Sequence, residues 1–101
     1  MEKKKPHYPL FEVWRVVEAR GVNAFTATAL TGAAALGLSG EQAVNVVLGL
    51  KQKDFYKSMT THADHTIWQD VYHARLKSGL MAYIKVTLRE NGTVVIQFKE
   101  K

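Results

Sequence analysis

The spacing of apolar residues in this chain changes from helical to alternating about half-way along. In the first half, Leu10, Val13, Trp14 and Val17 recur at helical spacing, while Glu12, Arg15 and Glu18 fall largely outside that stripe. Pro9 suits a first helical position, where a missing N–H costs nothing, and Gly21 suits a C-terminal cap. The spacing therefore predicts a helix over about 9–20, with Trp14 in the core. Residues 22–30, VNAFTATAL, fit a short strand or an extended link equally well. Residues 31–37 read as a short helix capped by Thr31 and stopped by Gly37. Ser39-Gly40-Glu41-Gln42 is a capping-box pattern, in which Ser39 and Gln42 satisfy each other's free N–H groups. Val44, Val47 and Leu48 then form the buried face of a second main helix, over about 40–50, ended by Lys51-Gln52-Lys53.

From Phe55 onward the period is two. Residues 55–61 and 66–76 alternate, with a polar link between them, and residues 80–88 and 93–99 alternate most clearly. Glu90-Asn91-Gly92 joins the last two as a hairpin. A two-residue turn at Asn91-Gly92 would set Leu88 beside Val95 and mix the apolar and polar faces. A three-residue loop pairs Arg89 with Thr93 and leaves Gly92 free to take the left-handed bulge conformation. Leu88 then meets Val94, Val86 meets Ile96 and Ile84 meets Phe98, so one face is continuously apolar and its burial fixes the register. On the other face Tyr83 stands opposite Lys99, and Lys85 opposite Gln97. These elements make an α+β domain: N-terminal helices on a mainly antiparallel sheet. Trp68 shares a strand face with Tyr72 and Leu76, which predicts a core role for it.

Composition narrows the chemistry. A chain of 101 residues is expected to form one domain, since a second core would have too little chain. The formal charge is +5, with nine Lys or Arg against five Asp or Glu in residues 51–101, and five against four before them. An anionic partner follows as an expectation, and its contact lies in the second half. The chain has no cysteine, which excludes a disulfide frame and a thiolate metal site and fits a reducing cytoplasm. No apolar run approaches a membrane span, and MEKKKPHYPL is basic but lacks the apolar centre of a signal peptide. The first seven residues are charged and expected to be mobile.

A sheet face bearing Tyr, Lys and Gln suits RNA, because lysines neutralise phosphate and aromatic rings stack on bases. The competing reading is a solvated face whose lysines serve solubility. His62 and His65 in HADH, with Asp64 and His73, are metal-ligand types. The pair lies in a turn, however, and structural zinc sites need four ligands, so no metal is expected there. His7 is a candidate proton carrier or phosphate contact in the lead segment. No phosphate-binding glycine loop is present, and no Ser-His-Asp triad can be argued from position.

DFYKSMTT and DHTIWQDVY, with MEK and Pro6-His7 before them, AALGLS and NVVLGL between and FKEK at the end, resemble the MqsR toxin family over nearly the whole chain. The resemblance implies a RelE-like α+β fold and a messenger-RNA endoribonuclease of a toxin–antitoxin pair. It further implies cleavage without the ribosome at GCU-type sites, and inhibition by an MqsA antitoxin that binds zinc and DNA. The family's active-centre positions fall on Lys57, Gln69, Tyr83 and Lys99. Tyr56 and Met59, which flank Lys57, and the histidines His7 and His73 are implied RNA contacts. The reaction implied is attack of a ribose 2′-hydroxyl on the adjacent phosphate, with no metal or other cofactor. Two departures stand out: the stretch before Tyr83 is one residue longer than the pattern, near Gly79, and His73 stands where the pattern has arginine, which implies a weaker or a pH-dependent phosphate contact. An alternative is a catalytically silent RNA- or protein-binding module on the same fold.

Overall fold

A computed structural model describes residues 1–101. A short strand β1 (Glu2–Lys3) precedes three helices, α1 (Leu10–Arg20), α2 (Ala27–Ala35) and α3 (Gly40–Leu48). Four strands follow: β2 (Phe55–Thr60), β3 (Trp68–Arg75), β4 (Met81–Leu88) and β5 (Val94–Glu100). All five strands form one antiparallel sheet in the order β1-β2-β3-β4-β5. The helices cover one of its faces. Tyr72, Ala82, Ile84, Val86, Ile96 and Phe98 from the sheet pack with Leu10, Val13, Val17, Ala33 and Val47 from the helices in a single core. Trp14 is half-buried against that core, as its place in the stripe predicts. No helix is long and apolar enough to cross a membrane.

The hairpin register is the one argued from alternation. Leu88 pairs with Val94, Val86 with Ile96, Ile84 with Phe98, Lys85 with Gln97 and Tyr83 with Lys99. Arg89 N–H donates to Thr93 O at 2.7 Å, and Gly92 takes φ 84°, which a side chain would strain. The capping box also forms: Ser39 N–H donates to Gln42 Oε1 at 2.8 Å and Gln42 N–H to Ser39 Oγ at 3.1 Å.

Four expectations need correction. First, α2 starts earlier than Thr31: Thr26 is its cap, accepting from Ala29 N–H at 3.0 Å, and Thr31 sits mid-helix with its hydroxyl donating to Ala27 O. The 22–30 stretch is thus divided between a 3₁₀ turn (Gly21–Ala24), a bridge of Phe25 to Ile96 and the first turn of α2. Second, the lead segment is tied down. Met1 and the two residues of β1 add to the edge of β2, with Thr60 N–H donating to Met1 O at 3.0 Å. Third, β2 does not alternate throughout: Phe55 pairs with Tyr72 but Lys57 with Val71, so Tyr56 is an extra, bulged residue. Fourth, Trp68 lies outside the core. The His7 ring stacks on it at 5.3 Å and Lys3 Nζ lies 4.2 Å from its centroid.

One close approach positions the free edge of β5. A Cβ added to Gly32 of α2 would lie 2.1 Å from Phe98 O, so α2 can ride against β5 only with glycine there. Thr26 N–H also donates to Ile96 O at 3.1 Å. The β5 edge is therefore covered by the chain itself.

Candidate active site

The sheet face turned away from the helices carries the chemistry. On β3, Asp70, Tyr72 and Ala74 point into the protein, so Gln69, Val71, His73 and Arg75 point out. Register then sets two rows across the sheet. In one, His73 stands opposite Tyr83 and Tyr83 opposite Lys99. In the other, Lys57 stands opposite Val71, Val71 opposite Lys85 and Lys85 opposite Gln97. Met59 and Gln69 pair beyond them. The bulge extends the first row by one member. Strict alternation would send Tyr56 and Lys57 to opposite faces; the extra residue keeps both on the outer one. The Tyr56 ring stacks on His73 at 4.4 Å, and His73 meets Tyr83 at 5.6 Å. Tyr56, His73 and Tyr83 thus make a continuous aromatic strip over three strands, edged by Lys57 and Lys99, whose ammonium groups lie 5.4 Å from the Tyr56 and Tyr83 centroids respectively.

Electrostatics differentiate the lysines. Lys57 Nζ donates to Glu2 Oε2 at 3.1 Å, and that hydrogen bond raises its pKa. The pair favours the charged form of Lys57. Lys85 shifts the other way, lowered first by burial and then by Lys99. The His73 pKa is also lowered, by burial and then by Lys101, and its Nε2 is buried without a protein partner. Both effects favour the neutral form of the His73 ring.

Depression of a histidine pKa has a stability consequence. The unfolded chain takes up the proton first as pH falls, so the contribution of neutral His73 is complete above about pH 6.5 and is lost as pH drops through the lower folded value. Melting temperatures measured between pH 8 and 5 are expected to decline on the acid side, less steeply in His73→Gln. An identical slope in the variant would contradict the shift.

Lys57, Gln69, Tyr83, Lys99, Tyr56, Met59 and His73 are all on this one face. His7 is not. Its backbone N–H and that of Tyr8 donate to the Asp70 carboxylate on the opposite side of the sheet, at 3.0 and 2.8 Å. Its ring is stacked on Trp68 and bonded to Lys3 Nζ at 2.8 Å. The loop before Tyr83 closes locally: Leu76 N–H donates to Leu80 O at 2.8 Å, Gly79 takes φ 93°, and His73 pairs with Tyr83 in regular register. No group of three or more His, Asp or Glu is arranged to hold a metal ion, HADH included. A larger groove, about 620 Å³, at the C-terminal end of α3 contains none of the candidate residues.

Residues 5–100 match the family described as "Motility quorum-sensing regulator, toxin of MqsA". The chain is also 48% identical, over 101 residues and the full length of both proteins, to the mRNA interferase toxin MqsR of Escherichia coli strain K12. The chain belongs to this family. FYKSM and WQD fall on β2 and β3, the pair that carries the bulge, and FKE falls on β5. Sequence reasoning overlooked two supporting residues. Glu2, the counter-ion of Lys57, lay in a segment read as mobile. Asp70 left a signal: a carboxylate at an inward position, two residues before the fully buried Tyr72.

Proposed function

We propose that this chain is the messenger-RNA endoribonuclease of a toxin–antitoxin pair and that its active centre is the outer sheet face. The observation that carries this reading is the gathering of Lys57, Gln69, Tyr83 and Lys99 on one face, beside an aromatic strip, in a member of the MqsR family. The strip offers stacking to bases of any identity, and the lysines offer charge to the backbone.

In the reaction, a ribose 2′-hydroxyl loses its proton and its oxygen attacks the adjacent phosphorus. The bond to the 5′-oxygen breaks, leaving a cyclic phosphate and a 5′-hydroxyl once that oxygen is protonated. Lys57, whose charged form Glu2 favours, acts on the growing phosphorane charge together with Lys99. Tyr83, which lies between His73 and Lys99, or a lysine of lowered pKa exchanges protons. Gln69 orients the phosphate or a base. No step calls for a metal or other cofactor. Preference for GCU-type sites, independence of the ribosome, a cytoplasmic location, and inhibition by an MqsA-type antitoxin that binds zinc and DNA complete the proposal, on the strength of the resemblance.

Expression in bacteria tests it. Induction of the chain alone, with folded protein confirmed by blot and solubility, is expected to arrest growth, and co-expression of the neighbouring antitoxin to restore it. Unimpaired growth with soluble protein would count against both toxin and partner, and would favour a silent binding module.

A further inference from the structure

The reaction as described leaves one neighbouring feature unused. A groove of about 570 Å³ runs between α2 and the β4–β5 hairpin, with Thr28 and Thr31 on its wall and Tyr83, Lys85, Gln97 and Lys99 on its floor. Its volume lies within the roughly 300–1,000 Å³ of small-ligand sites. The wall is fixed, since Gly32 abuts Phe98 O and Thr26 N–H is bonded to Ile96 O. Two cations meet in it without a counter-charge: Lys85 and Lys99 lie 6.0 and 5.4 Å from the Tyr83 centroid. The ion pairs of the chain, Arg15–Glu12, Lys53–Asp54 and Lys57–Glu2, provide neither with a carboxylate. The Thr31 hydroxyl is committed to Ala27 O at 3.2 Å, whereas the exposed Gln97 amide and Thr28 hydroxyl have no partner in the protein.

We propose that this groove is a nucleotide subsite of the RNA strand, in which Lys85, beside Lys99 of the active centre, holds a phosphate next to the cleaved bond and Gln97 and Thr28 read the base. The proposal rests on the RNA-cleaving reading and extends it from catalysis to sequence choice. A phosphate between the two ammonium groups relieves the repulsion that, after burial, lowers the Lys85 pKa. An amide presents a donor and an acceptor together, and a hydroxyl adds either, so the pair distinguishes base edges that a stacking surface does not. Affinity without sequence then comes from the Tyr56–His73–Tyr83 strip, and base identity from the groove.

Two experiments test this. In the first, a random-sequence RNA pool is cut by the wild type, Gln97→Ala and Thr28→Val, and the cut ends are sequenced. The base preference at one position beside the cut is expected to relax roughly five- to tenfold in each variant, the scale of one lost hydrogen bond, with other positions unchanged. Preferences matching the wild type in both variants would overturn the proposal. In the second, the four nucleoside 3′-monophosphates are titrated into ¹⁵N-labelled protein. One base is expected to move the Thr28, Gly32 and Gln97 amides more than the others do, and Gln97→Ala to erase that difference. No groove response to any of the four would overturn the subsite. If the wild type leaves the pool uncut while one nucleotide still seats in the groove, the cleavage reading fails and the subsite stands.

Discussion

Replacing Lys57 with alanine is expected to slow single-turnover RNA cleavage by roughly 10²–10³-fold, even with enzyme in saturating excess. The bulge brings Tyr56 onto the outer face beside Lys57, and the Glu2 carboxylate favours the charged form of Lys57. A charge aimed at oxygens that become more negative in the transition state acts on turnover, and saturation does not compensate its loss. A lysine that only bound RNA would behave otherwise, with the rate recovering at high enzyme. The fold should not change, because the Glu2 partner is solvent-exposed and such pairs contribute little stability. Circular dichroism controls for that. Cleavage by the variant near the wild-type rate would remove Lys57 from the catalytic set and leave Tyr83 and Lys99 as the candidates.

The largest stability effect is expected at Asp70. Its carboxylate is 1% exposed and accepts from His7 N–H and Tyr8 N–H, with distances of 2.8–3.0 Å. It ties the lead segment, and with it Glu2 and Lys3, to the middle of β3. Tyr8 adds a bond from its hydroxyl to Trp68 O at 2.8 Å. Removing one partner of a buried charged network leaves the others unsatisfied, so Asp70→Ala should destabilise the fold by about 2–4 kcal/mol. That is a large share of the roughly 5–15 kcal/mol available to a small domain. Urea denaturation should show a lower midpoint with the slope unchanged. A shift below about 0.5 kcal/mol would mean that the segment is not held through this carboxylate.

How far the sequence disclosed this arrangement depended on the range of the deciding interaction. The β4–β5 hairpin was fully legible: alternation on both strands and a glycine loop left a single register that buried one face. The Ser39–Gln42 cap was equally local. The start of α2 was misplaced because Thr26 and Thr31 are both plausible caps, and the choice was made by distant contacts of Phe25 and Thr26 with Ile96. β1 and Trp68 were misread for a related reason. A two-residue strand has no periodicity, and Trp68 is covered by Lys3 and His7, more than 60 residues earlier in the chain. The bulge at Tyr56 left no compositional trace, since one extra residue changes the facing of a strand without changing its make-up. Residue types marked the candidate site; the register and the bulge bring those residues to one surface.

The most direct test of the central claim uses two short single-stranded RNAs containing GCU. One is all-ribose, and the other carries a single 2′-deoxy sugar on the 5′ side of the cleaved bond. Purified protein is incubated with each in EDTA and the product ends are identified by mass. The account predicts cleavage of the all-ribose strand to a 2′,3′-cyclic phosphate and a 5′-hydroxyl, with the deoxy strand intact at that bond. Loss of cleavage in EDTA with recovery on adding a divalent ion, or equal cleavage of the deoxy strand, would contradict it.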